Sequence, residues 1–313
     1  MGRLDGRRLD GRRLDGRVAI VTGAGRGLGR AHALLLAAEG ASVVVNDLGG
    51  DVHGAGQDPT PAQQVAAEIN ATGGRAVVSG HDVADWRQAK AMIDLAVTTF
   101  GDLHVLVNNA GILRDRTLAN MSEEEWDAVI RVHLKGHAVP TRHAVVYWRA
   151  RAKAGHTVKA SVIHTSSLAG LIGNFGQTNY ASAKLAVVAF SRVVAMEYGR
   201  YGVRSNAVSP SARTRLALSV PGAEAEMQLP PPDVFDPLDP GNVSPLIAWL
   251  AQADCPATSQ IFHIGGNRLF VFTMPSIAAR LETRGRWTLE ALDRELPARL
   301  VRPMELSDVI GDR

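Results

Sequence analysis

Short runs of consecutive apolar residues, rich in valine and isoleucine, alternate along this chain with longer stretches in which apolar residues recur every three or four positions. The runs VAIVT (18–22), SVVVN (42–46), AVVS (76–79), LHVLVN (103–108), SVIHTS (161–166), VRSNAV (203–208) and IFHIG (261–265) read as strands, and six helical patterns separate them. A strand without polar alternation is buried on both faces, which right-handed crossovers achieve by laying helices on either side of a parallel sheet. The pattern predicts an α/β fold: a doubly wound, seven-stranded parallel sheet in a single domain over residues 17–269.

Three segments break the rhythm. Residues 1–16 repeat the unit GRRLD, whose leucines are too sparse to bury a face, so a disordered basic arm is expected there. Residues 211–239 carry five prolines and read as a mobile substrate cover. Residues 270–313 read as an irregular extension with one or two helices, including TLEALDREL (288–296), suited to wrapping a neighbouring subunit.

Composition narrows the function classes. The net charge of +3 raises the question of a nucleic-acid partner, but six arginines and three aspartates within residues 1–17 account for it, leaving 28 basic against 28 acidic residues elsewhere. No nucleic acid is expected. The single cysteine, Cys255, excludes an intramolecular disulfide and a cysteine-based metal cluster, and no metal is expected. No apolar run reaches the ~18 residues of a membrane span, and the first residues lack the apolar core of a signal peptide. A cytoplasmic location is the expectation.

The candidate chemistry sits at strand ends. TGAGRGLG (22–29) joins the first strand to a helix beginning near Leu28. Gly23, Gly27 and Gly29 let backbone amides approach a pyrophosphate, and the helix start directs its free N–H groups at the negative charge. Asp47, at the tip of the second strand, is placed to accept hydrogen bonds from the adenosine ribose hydroxyls and to repel a 2′-phosphate, which favours NAD over NADP. Arg26, inside the loop, pulls the other way. Asp82 and Val83 end the third strand where an adenine amino group and ring face would lie; Asp85 reads equally, and Asp82 less so, as a cap for the helix starting near Trp86.

NNAG (108–111), HTSS (164–167) and YASAK (180–184) close the fourth and fifth strands and open the next helix. Tyr180 and Lys184, four residues apart, share a helix face. An ammonium beside a phenol favours the phenolate, so Lys184 is expected to lower the pKa of Tyr180 and make it a proton carrier. Ser167, thirteen residues upstream, is placed to hold the substrate oxygen in preference to Ser166. His164, on the same strand, reads as core. The apolar length of the helix over 178–198 exceeds one core face, so a homodimer or homotetramer is expected.

TGAGRGLG, NNAG, Ser167 and YASAK, in this order of strands, resemble the short-chain dehydrogenase/reductases over residues 16–266. VVVNDLGGD, NNAGILRDRT, RVHLKG and GNFGQTNYASAK are similar to the (3R)-hydroxyacyl-CoA dehydrogenase part of peroxisomal multifunctional enzyme type 2. The resemblance implies a Rossmann-type fold and an oxidoreductase using NAD on an acyl-CoA thioester or similar secondary alcohol. Ser167, Tyr180 and Lys184 would be catalytic, joined by His133 where most members carry an asparagine. The implied cofactor set is Gly23, Arg26, Gly27, Leu28, Gly29, Asp47, Asp82, Val83, Asn109, Ala110, Gly111, Tyr180 and Lys184, with Pro210 and Thr214 near the carboxamide. A CoA substrate implies a basic patch, for which Arg114, Arg116, Arg213 and Arg215 are candidates. A hydroxysteroid dehydrogenase, an NADPH-dependent 3-oxoacyl reductase and a non-catalytic NAD(H) sensor are the competing readings.

Overall fold

In the computed structural model, which describes residues 3–4, 7–8, 12–219 and 227–310, every residue of Val18–Thr22 (β1) and Ser42–Asn46 (β2) is buried. Such strands need cover on both faces, and alternate side chains divide between two layers. Ala19, Val21, Val43 and Val45 pack with Ala33, Leu36, Val65, Ile69, Ile247 and Leu250, from the helices Gly27–Ala38, Thr60–Ala71 and Ser244–Ala251. Val18, Ile20 and Val44 face Met92, Ile93, Val145, Trp148 and Val194, from the helices Trp86–Phe100, Gly136–Lys153 and Thr178–Tyr198.

The remaining strands of this sheet are Arg75–Ser79 (β3), Val105–Asn108 (β4), Ala160–Thr165 (β5), Val203–Ser211 (β6), Ile261–Gly265 (β7) and Arg268–Phe272 (β8). Their order is β8-β7-β6-β5-β4-β1-β2-β3. The first seven in sequence pair parallel, as the sequence pattern predicts. Connections run outward in opposite directions from β1 and β4, so the chain parts between them and leaves a crevice at the carboxyl ends of the strands.

The sheet has eight strands, where seven were expected. β8 pairs antiparallel with β7, Gly265 opposite Arg268, around a two-residue loop in which Gly266 has φ +55°. Gly-Asn between two apolar runs is a hairpin signal; here β8 falls at the boundary between the domain and its extension. β6 also runs three residues beyond its expected end, to Ser211.

The arm is shorter than the sequence indicates. Leu14 is 1% exposed within the core, its amide donates to the Glu39 carbonyl, and the Arg13 amide donates to the Glu39 carboxylate. Residues 12–17 thus form an ordered turn under the first helix, because one leucine set in a turn can be buried where periodicity predicts nothing. Before this turn, Arg3–Leu4 and Arg7–Arg8 pair antiparallel, and the other residues of the repeat lie outside the described residues. Among the described residues no helix is long and apolar enough to cross a membrane.

The expected cover begins with a short helix, Arg215–Leu218. Arg213 donates to both carboxylate oxygens of Asp236, at 2.6 and 3.1 Å, and to the carbonyls of Met227 and Gln228. That fixes the proline-rich stretch against the end of β6. Residues 220–226 lie outside the described chain.

Candidate active site

A cavity of about 1040 Å³ opens at the carboxyl ends of the strands. This is the upper end of the range for small-molecule sites. The glycine loop, Asp47, Asp82 and Val83 line one part of it, and Ser167, Tyr180, Lys184 and His133 another, with Pro210 and Thr214 on a further wall. Every residue assigned from the sequence to catalysis or to the cofactor borders this one space.

At the glycine loop a side chain on residue 29 would place its Cβ 2.1 Å from the Gly23 carbonyl oxygen. Only a bare backbone lets strand and helix come this close while leaving the helix N–H groups open to an anion. Gly29→Ala is therefore expected to destabilise the fold by about 2 kcal/mol and to weaken binding of a nicotinamide dinucleotide about tenfold. Chemical unfolding and cofactor fluorescence titration read the two effects; a variant that unfolds and binds like the parent would contradict this account.

Asp47 accepts the Gly25 amide on Oδ2 at 2.8 Å and the Gly49 amide on Oδ1 at 2.6 Å. A carboxylate has about four acceptor sites, so its fixed oxygens keep capacity for ribose hydroxyls. Arg26 leans instead toward Asp58, 3.8 Å away. Asp82 accepts from the Ala84 amide and from Arg131, while Asp85 caps its helix by accepting from the amides of Arg87 and Gln88. The capping role thus falls to Asp85.

The NNAG residues divide their work. Asn108 is wholly buried and donates to Thr141. The Asn109 side chain donates to the carbonyls of Thr22 and Gly23, and Thr22 Oγ1 accepts the amides of Asn109 and Ala110, locking the tips of β1 and β4 together. Gly111 makes room for an imidazole, since a Cβ there would lie 2.5 Å from His133.

His133 stands in a π-helical turn, Arg131–Lys135, a distortion found often at functional sites. It is buried, its ring meets Tyr180 edge to face at 5.0 Å, and its Nε2 lies 2.7 Å from the Ile112 carbonyl oxygen. The Ile112 amide also points at Nε2, 3.1 Å away, so the tautomer follows which Ile112 group Nε2 engages, while Nδ1 is buried without a protein partner. Burial, and then the Lys184 charge, hold its pKa well below the usual histidine value.

Ser166 and Ser167 differ in their surroundings. Ser166 is buried and donates to the Lys184 carbonyl at 2.8 Å, a structural bond, whereas Ser167 caps the helix Leu168–Ile172 and interacts with the Tyr180 hydroxyl. His164 is fully buried, as expected.

The charge relation between Tyr180 and Lys184 differs from the expectation. Tyr180 is pushed up to about 12, chiefly by desolvation in the cavity wall, against a hydrogen bond with Ser167 and reinforced by the charge of Asp115. Burial brings Lys184 down to about 7. Its ammonium donates to the Thr165 carbonyl at 2.6 Å and lies 5.6 Å from the centre of the Tyr180 ring. Loss of solvation outweighs the attraction expected from i,i+4 spacing.

The sequence reading missed the residues that hold this helix end. Asn179 is buried, donates to the carbonyls of Arg114 and Glu125, and accepts the Tyr180 amide at 2.7 Å. Gln177 donates to Asp115 at 2.7 Å. Both lie within three residues before Tyr180, which is the one available signal. Of the four proposed CoA-binding arginines only Arg215 borders the cavity, and it donates to the Gly50 carbonyl. Arg213 is consumed by Asp236, Arg116 faces Glu125, and Arg114 donates to the His53 carbonyl. The expected basic patch is thus largely spent on internal contacts.

A sequence model of the family described as short chain dehydrogenase matches residues 17–217. The chain is 42% identical to the hydroxyacyl-CoA dehydrogenase ChsB1 of Mycobacterium tuberculosis, over 86% of this chain and 83% of that protein. It is 40% identical to the peroxisomal multifunctional enzyme type 2 of Mus musculus, over 80% of this chain but 32% of that longer protein. Among solved structures, a short chain dehydrogenase from Mycobacterium avium superimposes with a TM-score of 0.81 at 47% identity, covering 93% of this chain and 97% of that one.

Proposed function

The chain belongs to the short-chain dehydrogenase/reductase family, oxidoreductases that act on CH–OH groups with a nicotinamide cofactor, and from that premise we propose that it is an NAD-dependent (3R)-hydroxyacyl-CoA dehydrogenase. The observation that carries this reading is the convergence of Ser167, Tyr180, Lys184 and His133 on the cavity that the glycine loop and Asp47 also line. A nucleotide sensor needs the loop but not the reactive set. Similarity to ChsB1 supports a 3-hydroxyacyl thioester over other secondary alcohols.

Gly23, Gly27, Leu28 and Gly29 would hold the diphosphate, Asp47 the adenosine ribose, and Lys184 the nicotinamide ribose. Bound there, the oxidised dinucleotide would supply a hydride acceptor. Ser167 Oγ fixes the substrate oxygen by hydrogen bond. Tyr180 Oη takes the hydroxyl proton as the C–O bond becomes a carbonyl, and in the reverse direction it returns that proton. A phenol pushed up to about 12 is protonated near neutral pH, so the resting site is set as an acid; oxidation requires positive charge nearby to release the proton. Lys184, 5.6 Å from the centre of the Tyr180 ring, is the side chain placed to supply that charge. His133 packs edge to face against Tyr180 and is held neutral by burial, so its part is to position that ring.

Rates with NAD and NADP crossed against (3R)-hydroxyacyl-CoA and hydroxysteroid substrates test the reading. The expected result is preference for NAD and the thioester; faster turnover of the steroid would replace the substrate assignment. Substituting Asp47→Ser removes the like charge facing a 2′-phosphate and is expected to narrow the NAD preference in kcat/KM about tenfold. The homodimer or homotetramer inferred from the apolar length of Thr178–Tyr198 is supported by the exposure of Leu185, Val193 and Met196 on that helix. Its test is the mass in solution.

A further inference from the structure

The loop after β2 does not stay beside its own strand. In the sheet β1 lies between β2 and β4, so a loop that leaves the tip of β2 and reaches the loop after β4 passes the end of β1, where the glycine loop begins. Two strand spacings make that crossing about 10 Å. Residues 48–58 accomplish it. The Leu113 amide donates to the Val52 carbonyl at 3.0 Å, His53 Nδ1 donates to the Leu113 carbonyl at 3.0 Å, and Arg114 Nε donates to the His53 carbonyl at 3.1 Å. Leu48, Gly50, Asp51, Gly54 and Gly56 border the same cavity as Gly23 and Gly27.

The loop is a compact tip on a narrow base. The Asp58 amide donates to the Leu48 carbonyl at 3.1 Å and closes the base, and Asp58 also lies 3.8 Å from Arg26 of the glycine loop. Surface loops whose ends meet in this way often carry function. In the tip the Asp51 carboxylate accepts the amides of His53 and Ala55 at 2.8 and 2.9 Å, and the Asp51 amide donates to the Ala55 carbonyl at 2.8 Å. Gly49, Gly50 and Gly56 stand between tip and base, where their backbone freedom lets the tip turn as a body. No residue from 48 to 58 is buried. Polar bonds rather than core packing therefore hold the tip down, among them Arg215 to the Gly50 carbonyl at 3.3 Å from the cover, and such an element opens at low cost.

We propose that residues 48–58 form a hinged strap across the diphosphate cradle, latched to the loop after β4 by His53 and Arg114, and that the dinucleotide enters and leaves when this latch opens. The strap acts on the nicotinamide dinucleotide that the family uses, whatever alcohol is oxidised. Its kinetic signature is specific. A strap that must open slows entry as well as exit, because binding then waits on a conformational change, whereas a residue that only touches the bound nucleotide slows exit alone. His53 is exposed, so removing its ring leaves the core intact.

The test is the association and dissociation rates of NADH and of NADPH, read by stopped-flow fluorescence, for the full chain and for His53→Ala and Arg114→Ala, with the thermal unfolding midpoint of each protein. Loss of one latch hydrogen bond is expected to speed both entry and exit about fivefold while Kd stays within about twofold of the parent. Rates unmoved in both variants, at parental midpoints, overturn the proposal. So does faster exit with unchanged entry, which would mark the two residues as nucleotide contacts and the strap as fixed. A parent that binds neither dinucleotide removes the functional reading and the strap together; one that binds a dinucleotide but oxidises no hydroxyacyl-CoA removes the substrate reading alone.

Discussion

Substituting Tyr180→Phe is expected to lower the rate of alcohol oxidation by about three orders of magnitude while leaving NADH affinity within about twofold of the parent. The ring stays, so its packing against His133 at 5.0 Å is kept; only the hydroxyl that interacts with Ser167 is lost. Stopped-flow or steady-state rates, together with cofactor titration, separate the two effects. A variant that retains parental turnover would show that the substrate proton leaves by another route. Because burial pushes the phenol up to about 12, the parent's oxidation rate should also rise with pH in the range where the hydroxyl gives up its proton. Tyr180→Phe should lose that dependence along with the rate.

Acid is expected to unfold this protein unusually early. His32, His133, His137 and His164 are each no more than 1% exposed. Burial brings His32 and His164 down to about 3 and holds His133 and His137 well below the usual value, with the Lys184 charge adding to the effect on the last three. A histidine whose folded pKa lies below its unfolded value of about 6.5 contributes stability that is complete above that value. The contribution is lost as pH falls, because the unfolded chain takes up protons that the folded one refuses. The window runs from about 6.5 toward the folded values near 3. Each group gives a slope of about 1.4 kcal/mol per pH unit. Four together approach about 5 kcal/mol per unit, against a total stability of about 5–15 kcal/mol. Melting midpoints across this range should therefore fall steeply below pH 6, and a flat profile from pH 7.5 to 5 would contradict the account. His32→Gln, which keeps a partner for Ser244 at the 2.8 Å bond, is expected to reduce the slope by about a quarter.

These two expectations draw on different layers of information. The positions of Tyr180, Ser167 and Lys184 are legible in the chain because helix and strand periods are local: four residues make one turn, and a strand end followed by a helix start points into the crevice. The same holds for the glycine loop and Asp47, where backbone geometry demands particular residue types within a few positions. β8 was legible too, from Gly266-Asn267 between apolar runs, but it stood outside the alternation that framed the reading.

Asn179 and Gln177 were hidden because a polar side chain beside a reactive one carries no periodic signature; only the backbone carbonyls folded around them define their work. Arg213 was misjudged as a substrate contact because charge in a sequence has no address until Asp236 is brought to it. The amino-acid sequence alone determined the strand alternation, the family motifs and the candidate side chains that border the cavity. Only the tertiary structure decided that Tyr180 is raised and Lys184 lowered, that four histidines stay neutral in the interior, and that the loop after β2 crosses to the loop after β4. The reason is physical: spacing along the chain is a local property, whereas desolvation belongs to everything packed around a group, most of it distant in sequence.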